Sequence, residues 1–172
     1  MSVEEHKKEA PDCVACQVVT VSDTRTKETD KSGQLMKDYL QDAGHQLVSY
    51  QIVKDNKQDI KAAVLEGCQD SRIDVILLNG GTGIAARDVT IEAICPLFSK
   101  ELTGFGEIFR MLSYTEIGSS AILSRAAAGV IQNKAVFLTP GSSGAVKLAM
   151  TKLIIPELAH VMRELRKDIH HK

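Results

Sequence analysis

Val75, Ile76, Leu77 and Leu78 form an unbroken apolar run that empties into Asn79, Gly80, Gly81, Thr82 and Gly83. A strand with one wet face alternates apolar and polar residues. A short continuous apolar run bounded by turn residues is instead buried on both faces, which requires a parallel sheet covered by helices. The glycines after it let the backbone turn sharply and bring bare N–H groups beside a ligand, with no Cβ in the way. Arg87 then offers a fork for phosphate oxygens, whereas Asp88 would repel a bare phosphate but suits a metal ion bound to one. This mixture of signs points to a nucleotide with a divalent cation.

The rest of the chain repeats the pattern of strand, polar loop and helix. Ala15 to Val21 reads as a strand ending in Ser22, Asp23, Thr24 and Arg25. Ser32 is expected to cap a helix carrying Leu35, Met36, Tyr39 and Leu40, with Gly44 as its left-handed stop. Gln46 to Val53 reads as a second strand, followed by Lys54, Asp55 and Asn56 and a helix with Ile60, Ala63, Val64 and Leu65 on its apolar side. Thr90 is expected to cap a helix that Pro96 ends. Phe105, Ile108, Phe109, Met111 and Leu112 fit an amphipathic helix that serves either core or a subunit contact, and residues 119–130 fit helix, extended chain or both. A strand from Ala135 to Thr139 runs into Pro140, Gly141 and Ser142, then a long helix from Val146 to Leu165 in which Pro156 sets a bend.

Alternating strands and helices predict an α/β fold, three-layer α/β/α with a mostly parallel central sheet. The loops Ser22–Thr24, Gly80–Asp88 and Pro140–Gly144 then leave one edge of the sheet and can form one pocket from distant residues. With 172 residues, 44% of them hydrophobic, the chain suffices for one domain over 1–172, ordered from about 13 to 167 with flexible charged termini. A formal net charge of −1 and few aromatics argue against nucleic acid as a partner. No apolar stretch approaches the roughly 20 residues that span a bilayer, and the polar start lacks a signal-peptide core, so the expectation is a cytosolic protein with no membrane partner. Cys13, Cys16, Cys68 and Cys95 are not spaced as a disulfide framework. The Cys13/Cys16 pair lacks a second ligand pair for zinc, so Cys16 is read as the start of a buried strand. His45 is expected at the surface, and His170 and His171 in a charged tail.

Gly81 to Ala86 satisfies G-x-G-x-x-A after a strand, but a dinucleotide fold wants an acid about 20 residues on at the next strand's end. Glu101 has that distance and follows a poor strand. Lys147 is misplaced for a P-loop, and no Ser, Cys or His stands in a nucleophile elbow or triad context. Chemistry between two phosphate-bearing reactants needs no protein nucleophile, because orientation, metal charge and backbone donors suffice. Asp55 and Asp88 are the acids for such a metal, or else they simply favour helix N-termini. Ser142 and Ser143 cap the last helix, attract an anion, or do both. Arg125 has no local reading beyond a salt bridge.

Together Thr20–Thr24, Asp30–Gly33, Ile52–Asp55, Gly80–Gly83, Arg87–Thr90, Gly104–Leu112, Leu123–Arg125 with Ala128 and Gly129, and Pro140–Ser142 resemble the MoaB/MogA molybdopterin-binding family over nearly the whole chain. The resemblance implies an activity: adenylylation of molybdopterin by ATP with Mg²⁺, in which the pterin's phosphate attacks the α-phosphate and pyrophosphate leaves. It implies that Asp55 and Asp88 are catalytic and hold the metal. Gly80, Gly81, Thr82 and Gly83 would cradle phosphate or nucleotide, Ser22, Asp23 and Arg87 would also belong to the binding site, and Ser124, Pro140, Gly141 and Ser142 would line the pterin side. It also implies a homotrimer or homohexamer, with the hexamer favoured for the MoaB type. The chain departs from the family's adenylyltransferases at Ile84–Ala86 and Ile91, where they often carry prolines, and at Ser142–Ser143 in the pterin loop. Those departures motivate the alternative of a non-catalytic molybdopterin carrier. The glycine turn alone would also suit a nucleotide-binding regulator.

Overall fold

The computed structural model describes residues 2–8 and 10–169. Its elements are α1 (Val3–Lys8), β1 (Ala15–Val21), α2 (Lys31–Asp42), β2 (Gln46–Val53), α3 (Lys57–Gln69), β3 (Val75–Asn79), α4 (Thr90–Ile94), β4 (Lys100–Glu101), α5 (Thr103–Ile117), β5 (Ala127–Ile131), β6 (Lys134–Thr139), α6 (Ser143–Ala149) and α7 (Ile155–Arg166). One six-stranded sheet runs in the order β2-β1-β3-β6-β5-β4. β2, β1, β3 and β6 are mutually parallel, while β5 runs antiparallel to both β6 and β4. The predicted mostly parallel sheet is therefore present. β4 and β5 form a short antiparallel extension that residue patterning did not resolve.

Every residue of β3 is buried, as its unbroken apolar run requires. Alternation divides the central strands between two cores. Cys16, Val18, Val75, Leu77 and Phe137 face the layer of α2, α5, α6 and α7, where Met36, Leu40, Phe109, Met150 and Leu158 fill the space. Val19, Val21, Ile76, Leu78, Val136 and Leu138 face α3 and α4, against Ile60, Val64 and Ile94. Burying a large aliphatic side chain contributes about 1.5–3 kcal/mol, so two such layers hold the sheet between them. Phe105 and Phe109 are core residues, with ring centroids 6.3 Å apart. Ile108 and Met111 on the same helix are exposed.

Several local expectations are corrected. Asp30, not Ser32, caps α2, because its carboxylate accepts from the Gly33 N–H at 2.9 Å. The Ser32 hydroxyl is buried and donates instead to the Gly141 carbonyl at 2.6 Å. Thr90 is the first residue of α4 rather than its cap, and its hydroxyl donates to Gly80. His45 is half-buried and its Nδ1 accepts from the Val14 N–H, so burial lowers its pKa. The region 118–131 is both helical and extended, a tight 3₁₀ segment (Gly118–Leu123) followed by β5. The last helix is not continuous: a widened π turn over Met150–Ile154 separates α6 from α7. It lies just ahead of Pro156, whose missing N–H cannot close an α-helical bond. Within the charged leader, α1 packs on α7. The four cysteines are free, Cys13 exposed and Cys16 buried at the start of β1. His170 and His171 lie outside the described residues. No helix among the described residues is long and apolar enough to cross a membrane.

Candidate functional site

β2, β1, β3 and β6 are parallel neighbours, so their carboxyl ends share one edge, and the order β2-β1-β3 places a change of winding direction beside β1. The loops leaving these strands enclose a cleft of about 440 Å³. From β1 come Ser22, Thr24 and Arg25, and from β2 comes Asp55. β3 supplies Gly80, Gly81, Thr82, Gly83, Arg87 and Asp88, and β6 supplies Pro140 and Gly141. Leu123 and Ser124, leaving the 3₁₀ segment, close the remaining side.

The glycine turn is built as its sequence requires. Gly80 and Gly81 have φ of +96° and +68°, the left-handed region where an L side chain is strained. Space forbids a side chain as well, since a Cβ on Gly80 would lie 2.3 Å from the Val21 carbonyl oxygen. The turn is tied to the sheet by the Gly80 N–H donating to the Thr139 carbonyl, and to α4 by Thr90. The Thr90 hydroxyl donates to Gly80 O and its N–H to Gly81 O, both at 2.9 Å. Behind the turn, Arg125 donates to the carbonyls of Thr82 and Gly83 and pairs with Glu92.

The two acids flank this turn. A Cβ on Gly81 would meet Asp55 Oδ1 at 3.3 Å, and one on Gly83 would meet Asp88 Oδ2 at 2.5 Å. Burial first, and the neighbouring Asp23 carboxylate second, raise the Asp55 pKa; Arg87 opposes them. A carboxylate destabilised in this way gains from a cation placed beside it. Among the described residues no cluster of three or more His, Cys, Asp or Glu is placed to hold a metal ion. A cation here would therefore rest on these carboxylates and complete its shell with water and substrate oxygens, as Mg²⁺ commonly does. Asp88 Oδ2 also accepts from the Ala85 N–H at 3.0 Å, closing the loop onto itself.

The opposite wall is locked by Gly141. Its carbonyl accepts from Arg25 Nη2 at 3.0 Å and from the Ser32 hydroxyl at 2.6 Å. Arg25 Nη1 lies 3.5 Å from the buried Asp30, which also accepts from the Tyr50 hydroxyl at 2.6 Å. Burial and the Asp30 carboxylate together push the Tyr50 hydroxyl pKa well up, which keeps it a proton donor.

Of the residues expected at the site, Ser22, Gly80, Gly81, Thr82, Gly83, Arg87, Asp55, Asp88, Ser124, Pro140 and Gly141 line one cleft. Asp23 and Ser142 are not on its lining. Asp23 Oδ1 accepts from the Asp55 N–H at 3.0 Å and so positions that acid. Ser142 caps α6, accepting from the Ala145 N–H. Glu101 lies on β4 at the far edge of the sheet, which removes the dinucleotide reading of the G-x-G-x-x-A run. Thr24, on the expected Ser22–Thr24 loop, is also on the lining, whereas residue reasoning missed Arg25 and Leu123 there and Asp30 behind it. A charged residue directly after a strand's polar end was the available signal for Arg25.

A central parallel sheet with this cleft at its carboxyl edge defines the chain's class. A sequence profile described as "Probable molybdopterin binding domain" matches residues 17–160, and the chain belongs to this MoaB/MogA family. It stands among molybdenum cofactor biosynthesis proteins. Molybdenum cofactor biosynthesis protein B of Bacillus subtilis (strain 168) is 73% identical over 169 residues, covering 98% of this chain and 99% of its own. A crystal structure of a molybdenum cofactor biosynthesis protein B superposes with a TM-score of 0.90 at 61% identity, covering 92% of this chain and 99% of that one. The tungsten cofactor synthesizing protein MoaB from Pyrococcus furiosus gives 0.82 at 42% identity, with 91% and 99% covered.

Proposed function

We propose that the protein adenylylates molybdopterin with Mg-ATP in the cytosol. One observation carries this reading: a backbone phosphate cradle, two flanking carboxylates and the Ser124–Gly141 wall meet in one cleft. The cleft lining offers no Cys, His or Lys as a nucleophile, which suits a reaction between two phosphate-bearing substrates. The pterin's terminal phosphate oxygen forms a bond to the α-phosphorus, the bond between the α-phosphorus and its bridging oxygen breaks, and pyrophosphate leaves with that electron pair.

The chain's own part is binding and orientation. The glycine turn and Arg87 hold the nucleotide's phosphates, and Ser124 with Pro140 and Gly141 holds the pterin. Asp55 and Asp88 would hold Mg²⁺, whose charge offsets that of the approaching phosphates when it is bound. Arg25 and Ser32, fixed on Gly141, keep the pterin wall at a set distance from the turn. Ile108, Met111, Tyr114 and Ile117 on α5 and Ile122 in the 3₁₀ segment after it are exposed apolar side chains, which supports self-association as a trimer or hexamer.

The test is release of pyrophosphate and formation of adenylylated molybdopterin from ATP, Mg²⁺ and molybdopterin. Asp88→Asn should lower turnover by at least about a hundredfold while the folded state persists. An equally active Asp88→Asn protein removes the metal role. A second reading, a non-catalytic pterin carrier, is favoured by the bond from Ala85 N–H to Asp88, which gives that acid a structural use. It predicts saturable pterin binding with no ATP consumed.

A further inference from the structure

Arg125 is outside the cleft lining, yet its bonds govern the cradle inside it. Its Nε donates to the Thr82 carbonyl at 2.8 Å and its Nη2 to the Gly83 carbonyl at 2.7 Å. Glu92 braces the same guanidinium, with Oε1 2.5 Å from Nη1 and Oε2 3.2 Å from Nη2. Thr90 holds the first half of the turn in the same way, through the carbonyls of Gly80 and Gly81. All four carbonyls from Gly80 to Gly83 are thus taken by donors behind the turn.

That fixes where the N–H groups point. No peptide bond among the described residues is cis, and in a trans peptide the N–H is antiparallel to the preceding carbonyl. The N–H groups of Gly81 and Thr82 therefore aim away from Thr90, and that of Gly83 aims away from Arg125, on the side that lines the cleft. None of the three has a protein acceptor among the described residues. Successive unpartnered N–H groups of this kind form an anion-binding concavity. Without Arg125, the Thr82 and Gly83 carbonyls lose both donors, and those peptide planes are free to rotate.

We infer that Arg125, braced by Glu92, is a positioning residue that holds the second half of the glycine turn with the Gly83 N–H presented to the phosphate chain of ATP. This rests on the phosphate-binding reading of the turn given above. The residue type follows from the geometry. A planar guanidinium reaches two adjacent carbonyls and a carboxylate at once, whereas a lysine ammonium is a compact point charge that cannot hold all of them in one plane. Glu92 neutralises the guanidinium, so Arg125 acts through the backbone rather than as a charge on the ligand.

The test uses the full chain and two variants, Arg125→Lys and Glu92→Gln. Affinities for Mg-ATP and for molybdopterin are measured separately by calorimetry, and the amide resonances of Gly81, Thr82 and Gly83 are followed during titration with pyrophosphate. The wild-type chain should bind Mg-ATP and shift these three amides. Arg125→Lys should bind Mg-ATP at least about tenfold more weakly with molybdopterin affinity held within about twofold, and Glu92→Gln should show about a threefold loss. A merely structural role would weaken both ligands or neither. If the wild-type chain binds no Mg-ATP and its turn amides do not move, the phosphate reading itself fails and takes this inference with it. If the wild type binds and both variants bind within twofold of it, the phosphate reading stands and the role of Arg125 is overturned. Should Arg125→Lys not fold, Glu92→Gln decides alone: an unchanged ATP affinity overturns the inference.

Discussion

Replacing Gly81 with alanine separates two effects that the glycine turn combines. Gly81 has φ +68°, and an L residue there is disfavoured by about 1–2 kcal/mol. The added Cβ would also lie 2.3 Å from Thr90 Oγ1, so that hydroxyl must move and give up its bond to the Gly80 carbonyl. Thr90 is fully buried, and leaving a buried polar group unpaired costs about 1–3 kcal/mol. The sum is about 3 kcal/mol. Gly44 provides the control, since its φ is +80° and a Cβ there meets nothing within 4 Å. Gly44→Ala carries only the backbone term, offset in part by a less flexible unfolded chain, so about 1 kcal/mol remains. Urea unfolding at matched m-values should give this difference directly. In a domain of this size it corresponds to a Tm loss of roughly 6–12 °C for Gly81→Ala against roughly 2–4 °C for Gly44→Ala. Mg-ATP binding should survive only in Gly44→Ala. Equal destabilisation by the two substitutions would refute the reasoning, because the bond from Thr90 would then contribute nothing to the turn.

Asp55 carries a pH signature. Burial and Asp23 raise its pKa, so the folded chain holds that proton more tightly than the unfolded chain does. Its stabilising contribution is present below the ordinary aspartate range and is lost as pH rises through the raised folded value. Asp55→Asn should therefore raise Tm near pH 7, leave it nearly unchanged near about pH 3, and still remove turnover; a lower Tm at neutral pH would contradict the assignment. Phe109 is fully buried, and Phe109→Ala should cost about 3–5 kcal/mol in chemical denaturation whatever the state of assembly. Met111 on the same helix is 60% exposed, so Met111→Asp should keep the fold and shift sedimentation toward monomer; an unchanged assembly places the subunit contact elsewhere.

Much of the fold was readable from local pattern. The apolar run of β3 demands burial on both faces, and the alternation of strand with helix demands parallel crossovers, so the strands β1, β2, β3 and β6 and their loops followed directly. The cleft residues carried on those loops were equally legible, because a parallel sheet brings its carboxyl ends to one edge whatever the side chains do. What the chain did not disclose is how those loops are braced. Arg125 reaches Gly83 across 42 residues, and Arg25 reaches Gly141 across 116. No periodicity links such partners, because a single side-chain bond to a backbone carbonyl constrains one residue and leaves no repeating pattern. The same reason hid the cap of α2: Ser32 and Asp30 both suit a helix start, and only the approach of Gly141 draws Ser32 away. Sequence alone determined which loops meet, through hydrophobic patterning that is local and additive. The tertiary structure decided which groups face the cleft, because in a packed interior each donor goes to whichever acceptor the fold brings within reach.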